Sequence, residues 1–404
     1  MTAPVTTPTP TKPAVTAGIG QMLTSNMRQS GILIAFVVVF AAASIASPNF
    51  LSPGNITNIV LQYSYILILA MGMLLVIVAA QIDLSVGSVV ALTGAVAAVV
   101  VIKYQMPWWL GVLAALAVGL LVGIWHGFWV AFVGIPGFIV TLGGMLIFRG
   151  LTYQVLNSIS LSPFGGTYYE IANGFQNGLL GGYGVDVFTL VVFGIGAVAF
   201  GYLQWRTRQG RIAYQQTVEA MPLFIGKLVV MAAIIMWLGY QFATSRGLPN
   251  VLVLVLTLFV IYSVVSQRSV FGRHVYAIGG NLNAAQLSGV RVRRVNFWIF
   301  VNMGFLAAVA GIAYSSRMNA AQPGAGTGVE LDAIAACFIG GASTTGGIGR
   351  VGGAMIGGLL MAVISNIMSL LGLPMQLQSV VKGVVLLLAV AFDQWNRRRA
   401  EVTA

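Results

Sequence analysis

Long apolar runs recur along this chain, and each is about as long as a helix that crosses a lipid bilayer. A hydrocarbon core of about 30 Å takes roughly 20 helical residues, because an α-helix rises about 1.5 Å per residue. Of the 404 residues, 58% are hydrophobic and 7% are charged, whereas soluble domains usually carry about 25% charged residues. The sequence therefore predicts an all-α polytopic membrane protein.

The apolar runs predict about 10 to 12 transmembrane helices. Glycine supplies 50 residues, and where it is dense the sequence predicts broken or re-entrant helices. The predicted spans cover residues 31–47, 56–80, 85–102, 108–133, 137–156, 186–204, 225–243, 250–266, 295–316, 331–347, 350–371 and 376–393.

Residues outside the spans are predicted to form two tails. Residues 1–28 are rich in Thr and Pro and predict a disordered cytoplasmic tail. Residues 29–396 are predicted to form one transmembrane permease domain, and residues 397–404 a cytoplasmic C-terminal tail.

The basic residues predict the orientation of the spans. With twelve spans the loops alternate between sides, and one side holds 15 Lys and Arg residues while the other holds only Lys103, Arg246 and Arg317. Because cytoplasmic loops are enriched in Lys and Arg, both termini are predicted to lie in the cytoplasm. The same rule explains the net charge of +12 without a nucleic-acid partner.

Motifs for catalysis and for energy supply were sought next. The sequence contains no G-x-x-x-x-G-K-[ST] motif, so the chain has no P-loop with which to bind ATP. His126 and His274 have no Cys, Asp or Glu at metal-ligand spacing, and Cys337 is the single cysteine. We therefore expect no enzyme activity, no cofactor and no metal site in this chain.

Glycines at four-residue spacing predict close helix packing. Gly119, Gly123 and Gly127 follow this spacing, as do Gly353 and Gly357. Small residues at such positions let two helix backbones approach each other.

The sequence contains few acidic residues, so each can be considered separately. Asp83 follows an uninterrupted apolar run and is followed by Ser85, which predicts a helix break with a capping carboxylate. A direct role of Asp83 in proton-coupled transport is the alternative. Glu330 and Asp332 are predicted to lie in the first turn of a helix, where the helix dipole favours acids.

The stretch "AIGGNLNAAQLSGVRVRR", residues 277–294, is polar and lies on the predicted cytoplasmic side. Asn283 is predicted to cap a short helix over residues 284–288, and Gly289 to end it in left-handed geometry. Such a helix suits docking to a partner protein. The alternative is an ordinary linker whose arginines only fix orientation.

Four motifs resemble one known family. They are "QIDLSVGSVVALTG" (81–94), "PGFIVTLGGMLIFRGL" (136–151), "GRHVYAIGGNLNAAQLSGVRVRR" (272–294) and "ELDAIAACFIGGASTTGGIGRVGGAMIGG" (330–358). In this order they look like the permease subunits of bacterial ATP-driven (ABC) sugar importers, the branch with ribose, arabinose, galactose and xylose permeases. Residues 206–249 look like an insertion relative to shorter members, and this feature is most similar to the xylose-type permeases.

The resemblance implies a division of labour in the bacterial inner membrane. Two permease copies, or a closely related pair, would form the path for a monosaccharide. Two separate ATPase subunits would bind ATP and Mg, and a periplasmic sugar-binding protein would deliver the substrate. Residues 267–294 would form the coupling loop, and its ATPase-coupling residues would be Gly279, Asn281, Asn283, Ala284, Ala285, Ser288 and Gly289.

Residues of the translocation path are predicted less directly. Arg149, Tyr153, Asn302 and Asn366 are polar groups within or near predicted spans. They are candidates to line a passage at the centre of a dimer. Each is also a candidate for an interhelical hydrogen bond, because polar groups in a bilayer need partners in any case.

Overall fold

A computed structural model describes the backbone of residues 27–216 and 218–402. In chain order the helices are α1 (Met27–Ala46), α2 (Pro53–Val78), α3 (Val86–Ala98), α4 (Trp108–Phe128), α5 (Gly137–Leu156), α6 (Gly166–Asn173), α7 (Val187–Ala213), α8 (Met221–Ser245), α9 (Asn250–Arg268), α10 (Val270–Gly280), α11 (Leu282–Leu287), α12 (Val292–Met318), α13 (Val329–Ile339), α14 (Val351–Leu370) and α15 (Met375–Val402). Two π-helical turns, Val99–Lys103 and Trp129–Val133, continue α3 and α4.

Nine helices in this part of the chain are long and apolar enough to cross a bilayer: α2, α3 and α4 with their continuations, α5, α7, α8, α9, α12 and α14. The ends of the chain add two shorter apolar helical segments, Gly31–Ala46 and Met375–Leu388. The all-α polytopic fold predicted from the sequence is confirmed. Most of the predicted tail, residues 1–26, lies outside the described residues, and residues 397–402 continue α15.

One predicted span is wrong. The sequence predicted a crossing over residues 331–347, but α13 has 11 residues and ends at Ile339. At about 1.5 Å per residue such a helix covers roughly half of the hydrocarbon core. The backbone then turns through Gly346 (φ +83°) and Gly347 (φ +74°), both in the left-handed region that favours glycine.

Helix α2 forms the centre of the bundle. Every residue from Ile66 to Val78 is buried, and the helix packs against α8, α9, α12, α13 and α14. A helix that is apolar on all sides can be enclosed in this way, because no face needs water.

Glycine determines how closely α4 and α12 pack, as the sequence predicted. A Cβ on Gly123 would lie 2.7 Å from the carbonyl oxygen of Phe300, and one on Gly127 would lie 2.8 Å from that of Phe297. These atoms are backbone and cannot rotate away. Larger residues at these positions would therefore force the two helices apart.

Non-helical backbone interrupts the bundle twice. Residues 79–85, the first break, separate α2 from α3, and residues 319–328, the second break, separate α12 from α13. The starts of α3 and α13 meet, because a Cβ on Gly87 would collide with the Gly326 carbonyl and the Glu330 carboxylate. Helices broken in this way are used by transporters to present backbone ends inside the membrane.

Helices α7 and α8 form an antiparallel pair at the rim of the bundle. In the most apolar 18-residue stretch of each helix only 6% of the residues are buried, so the pair exposes most of its surface. A Cβ on Gly239 of α8 would lie 2.7 Å from the Cβ of Phe193 on α7, so the two helices pack closely at this glycine. The predicted insertion, residues 206–249, corresponds to the end of α7 and the whole of α8.

Asp186 fixes the start of α7 outside the spans. Its carboxylate accepts hydrogen bonds from the backbone N–H of Thr189 (2.9 Å) and of Gly178 (2.9 Å). Burial alone would raise the pKa of this carboxyl group, but the hydrogen bonds outweigh burial and lower the pKa of Asp186 below its ordinary value. Two short strands, β1 (Phe175–Gln176) and β2 (Leu248–Pro249), pair antiparallel and link the segment before α7 to the segment after α8.

Candidate functional site

The segment between α9 and α12 folds as two short helices, α10 and α11. It lies at the end of the bundle that carries Arg268, Arg273, Arg291, Arg293 and Arg294, which we call the basic end. The six-residue helix α11 corresponds to the short helix predicted from the sequence, and α10 precedes it where the sequence predicted no separate helix.

Asn281, rather than Asn283, caps α11. The Oδ1 atom of Asn281 accepts a hydrogen bond from the backbone N–H of Ala284 (2.9 Å). The backbone of Asn281 is extended (φ −158°), which lets the side chain fold over the first turn. The predicted cap at Asn283 is wrong, because this residue lies inside the helix.

The end of α11 has the predicted geometry. Gly289 has φ +83°, so it ends the helix in the left-handed region as expected. Ser288 precedes it, and its backbone N–H donates to the carbonyl of Ala284 (3.0 Å). Ala285 is 4% exposed and faces the bundle, whereas Leu287 is 90% exposed. The helix is thus anchored on one side and presents a leucine on the other.

Three chain segments meet where α10 ends. The backbone N–H of Gly347 donates to the carbonyl of Val78 (2.8 Å), and a Cβ on Gly279 would collide with both groups. The hydroxyl of Tyr276 donates to the carbonyl of Gly349 (2.7 Å). This junction brings α10 into direct contact with the end of α2, just before the first break, and with the turn after α13.

The first break is held largely by its own side chains. Asp83 is 2% exposed, and its Oδ1 atom accepts hydrogen bonds from the backbone N–H (2.8 Å) and the hydroxyl (2.6 Å) of Ser85. The predicted helix break is present, but the predicted cap is wrong, because Asp83 bonds to Ser85, the residue before α3, and not to an N–H group of the helix. Gln81 and Leu84 add contacts to α5: the Gln81 Oε1 atom accepts from Gly137 N, and the Leu84 N–H donates to the Thr141 hydroxyl (3.1 Å).

The second break is held by a distant arginine. The guanidinium group of Arg149 on α5 donates to the carbonyl oxygens of Pro323 (3.3 Å) and Ala325. Ala321 forms an isolated β-bridge with Leu161, which lies after α5. Arg149 therefore has backbone partners, as the interhelical alternative predicted.

The remaining path candidates lie apart from one another. The hydroxyl of Tyr262 on α9 donates to the Oδ1 atom of Asn302 on α12. Asn366 on α14 and Asn55 on α2 exchange two amide hydrogen bonds (2.8 and 2.9 Å). Tyr153 is 44% exposed on α5. The structure thus places Asn302 and Asn366 in separate interhelical contacts and does not bring the four candidates to one site within the subunit.

One ion pair was not predicted from the sequence. Lys382 on α15 donates to Asp332 on α13 at 2.8 Å, and both side chains are mostly buried. Glu330 and Asp332 do lie in the first turn of α13, as predicted. A signal was available, because Lys382 and Asp332 are opposite charges within predicted spans, and charges inside a bilayer need partners.

The fold and these elements define a multi-pass membrane transport protein with two broken crossings and a structured surface segment at its basic end. The family described as "Branched-chain amino acid transport system / permease component" matches residues 55–390, and the chain belongs to this family.

Known proteins resemble the chain over most of its length. It is 41% identical to the xylose transport system permease protein of Haemophilus influenzae over 93% of this chain and 98% of that protein. It is 40% identical to the xylose transport system permease protein of Escherichia coli K12 over 87% of each chain. The ribose import permease protein of Escherichia coli K12 is 37% identical over 89% of this chain and 92% of that protein. No solved structure matches the chain.

Proposed function

We propose that the protein is the transmembrane subunit of an ATP-binding cassette importer that carries a pentose, with xylose as the first candidate. The similarity to the xylose permeases carries the proposal, since it reaches 41% identity over nearly the whole chain. The family description names branched-chain amino acids. We favour a sugar because the individual relatives that match over most of the chain are named for xylose and ribose.

The chain would need partners for energy and for substrate delivery. The sequence has no P-loop, so two copies of a separate ATPase subunit would bind ATP and Mg. A periplasmic sugar-binding protein would deliver the substrate, and a second permease copy would complete the path. In this arrangement the protein lies in the bacterial inner membrane with both termini in the cytoplasm, and the basic end faces the ATPase.

Helix α11 is our candidate for the contact with the ATPase. It is capped at Asn281, ended at Gly289 and anchored through Ala285, so it would move as a rigid body. The exposed Leu287 offers an apolar contact to a groove on the partner. Motion of α11 would pass through α10 to the junction of Gly279 with Val78 and Gly347, and so to the start of the first break and to the turn after α13. The states of the ATPase and of the path would then bias each other.

Reconstitution tests the energy source and the substrate together. The permease is placed in proteoliposomes with a candidate ATPase subunit and a candidate sugar-binding protein, and uptake of radiolabelled D-xylose, D-ribose and leucine is measured. We expect ATP-dependent uptake of a pentose that persists when the proton gradient is collapsed. Leucine uptake would contradict the substrate class. Gradient-driven uptake without the ATPase, abolished by Asp83→Asn, would instead support a proton-coupled transporter.

A substitution on α11 tests the docking surface. Leu287→Asp places a charge on the exposed face of the helix without touching the bundle, so we expect unchanged membrane insertion and at least tenfold lower uptake. Leu179→Asp is the matched control, because Leu179 is another exposed leucine (61%) and lies outside the segment between α9 and α12. Equal uptake in both variants, with equal amounts of ATPase co-purified, would rule out α11 as the docking element.

A further inference from the structure

A cavity of about 450 Å³ opens at the basic end, beside the first break. It lies between the break, the α4–α5 connection and the start of α12. Its walls are formed by Ala80, Gln81, Ile82, Val130, Gly134, Ile135, Pro136, Gly137, Phe138 and Asn296. Its size falls within the range of small-molecule sites, roughly 300 to 1,000 Å³. None of the residues proposed so far for the path lines it.

The lining combines amide groups with apolar surface and contains no charged side chain. The Oδ1 atom of Asn296 is buried and accepts no hydrogen bond from any described residue. The Oε1 atom of Gln81 accepts a hydrogen bond from the backbone N–H of Gly137 (3.2 Å). This bond fixes the orientation of the carboxamide and leaves its Nε2 atom as the group that can donate. Phe138 is 52% exposed and contributes an aromatic ring.

This chemistry fits a neutral polyol. The Asn296 Oδ1 atom is closed off in this structure, so the carboxamide must rotate toward the cavity before a sugar hydroxyl can donate to it. The same hydroxyl or a neighbouring one can accept from the Gln81 amide, while the C–H face of the sugar ring packs on Phe138 and Pro136. A buried acceptor without a donor destabilises the fold, so a hydroxyl donor would relieve this penalty. An anionic lipid headgroup fits less well, because phosphate is normally held by Arg or Lys, and the lining has neither.

The cavity wall also belongs to the coupling junction. Ala80 lies against Gly346, because a Cβ added to Gly346 would lie 2.9 Å from the Cβ of Ala80. Two residues earlier, Val78 accepts the hydrogen bond from Gly347 at the contact with α10. A displacement of α10 would therefore move the wall formed by residues 80–82. The cavity is placed to change shape with the state of the ATPase.

From the cavity, the unpartnered Asn296 acceptor and the shared wall, we propose that this is a low-affinity exit site for the transported monosaccharide. Asn296, Gln81 and Phe138 bind the sugar after it has passed the breaks and before it enters the cytoplasm. This inference rests on the proposed importer function. It adds a substrate-binding site at the cytoplasmic mouth and explains how the coupling segment controls release.

The test uses the assembled transporter in proteoliposomes whose cytoplasmic face is accessible. D-xylose is added on that side, and the concentration that halves ATP-driven uptake is measured. We expect Asn296→Leu and Gln81→Leu each to raise this concentration roughly fivefold to tenfold, the weight of one net hydrogen bond. Gln209→Leu, which removes an exposed amide on α7, is the matched control and should leave it unchanged.

A second variant covers the risk of misfolding, since Asn296 lies within the packed bundle. Phe138→Ala removes an exposed ring, and its expected effect is a rise of about threefold. Saturation-transfer NMR on the same complex reports contact with D-xylose directly, and this signal should fall in all three variants. Unchanged inhibition and unchanged NMR signal in variants that still transport would overturn the exit site, as would displacement of the signal by phosphatidylglycerol. Absence of pentose uptake by the unsubstituted complex would overturn the importer function instead.

Discussion

The non-helical backbone of the two breaks is held in place by different kinds of contact. The first break, residues 79–85, is short and is closed by a local contact, because Asp83 bonds to Ser85 two residues away. The second break, residues 319–328, is longer and depends on Arg149, which is more than 170 residues distant in sequence. A contact between residues two positions apart needs no packing of other helices. A distant clamp forms only when α5 and α12 are correctly packed.

This difference assigns separate roles to the two breaks. We expect the first break to stay ordered when the second is loosened, because Asp83 and Ser85 bond within it. The second break depends on remote partners, since Arg149 holds the carbonyls of Pro323 and Ala325, and Leu161 pairs with Ala321. Substitutions can test this contrast, and those below are ordered from the largest expected effect to the smallest.

Gly87→Val attacks the point where both breaks meet. The added side chain would collide with the Gly326 carbonyl and the Glu330 carboxylate, so we expect about 3 kcal/mol of destabilisation, as is usual for overpacking against backbone. Thermal unfolding in detergent and sugar uptake measure the effect. Gly54→Val is the control, because a Cβ on Gly54 has nothing within 4 Å. Equal loss in both variants would show that the breaks do not depend on this contact.

Arg149→Met removes the clamp on the second break. Two hydrogen bonds from a charged donor are lost, which we expect to cost about 2 kcal/mol and to abolish most uptake. Hydrogen exchange should rise in residues 321–327 and stay unchanged in residues 79–85. Arg149→Lys should restore part of the protection, since a lysine can reach one carbonyl. Faster exchange in both breaks would remove the distinction between them.

Lys382→Met tests a second contact between residues that are remote in sequence. It leaves Asp332 at the start of α13 without its ion pair, and we expect about 1 kcal/mol of destabilisation because both groups keep some solvent contact. The double variant with Asp332→Asn should recover most of this loss. If the two single effects simply add in unfolding measurements, the pair contributes no coupling energy.

Asp83→Ala tests the local contact of the first break. We expect about 1 kcal/mol of destabilisation, a typical net value for a lost hydrogen bond, with uptake reduced but measurable. Asp83→Asn should behave nearly as the parent protein, since an amide oxygen can accept the same hydrogen bonds. Loss of all uptake in Asp83→Asn, with normal stability, would mean that the charge itself is required.

The sequence predicted best what depends on neighbouring residues. The long helices follow from runs of apolar residues. The end of α11 at Gly289 and the helix break around Asp83 follow from residues within two or three positions. The glycine spacing around Gly123 predicted that another helix packs closely there. It did not predict which helix, and only the fold identifies this helix as α12.

The cap of α11 marks the limit of local reasoning. Asn281 and Asn283 have the same side chain and lie two residues apart, so propensity does not choose between them. Burial of Ala285 against the bundle fits the register in which Asn281 is the cap. The path candidates, which stay predictions, show a related limit. Their polarity was evident from the sequence, but their partners, such as Asn55 for Asn366, are remote in sequence.

By itself the sequence determined the membrane class, most of the long helices, the glycine packing faces and the end of α11 at Gly289, because hydrophobicity and helix termination act over one helix or one turn. Only the tertiary structure decided that α13 stops halfway, that Arg149 holds the second break, that α10 meets the end of α2 and the turn after α13 at one junction, and that Gln81, Phe138 and Asn296 line one cavity. These contacts join residues far apart in the chain, and close packing of whole helices is what brings them together.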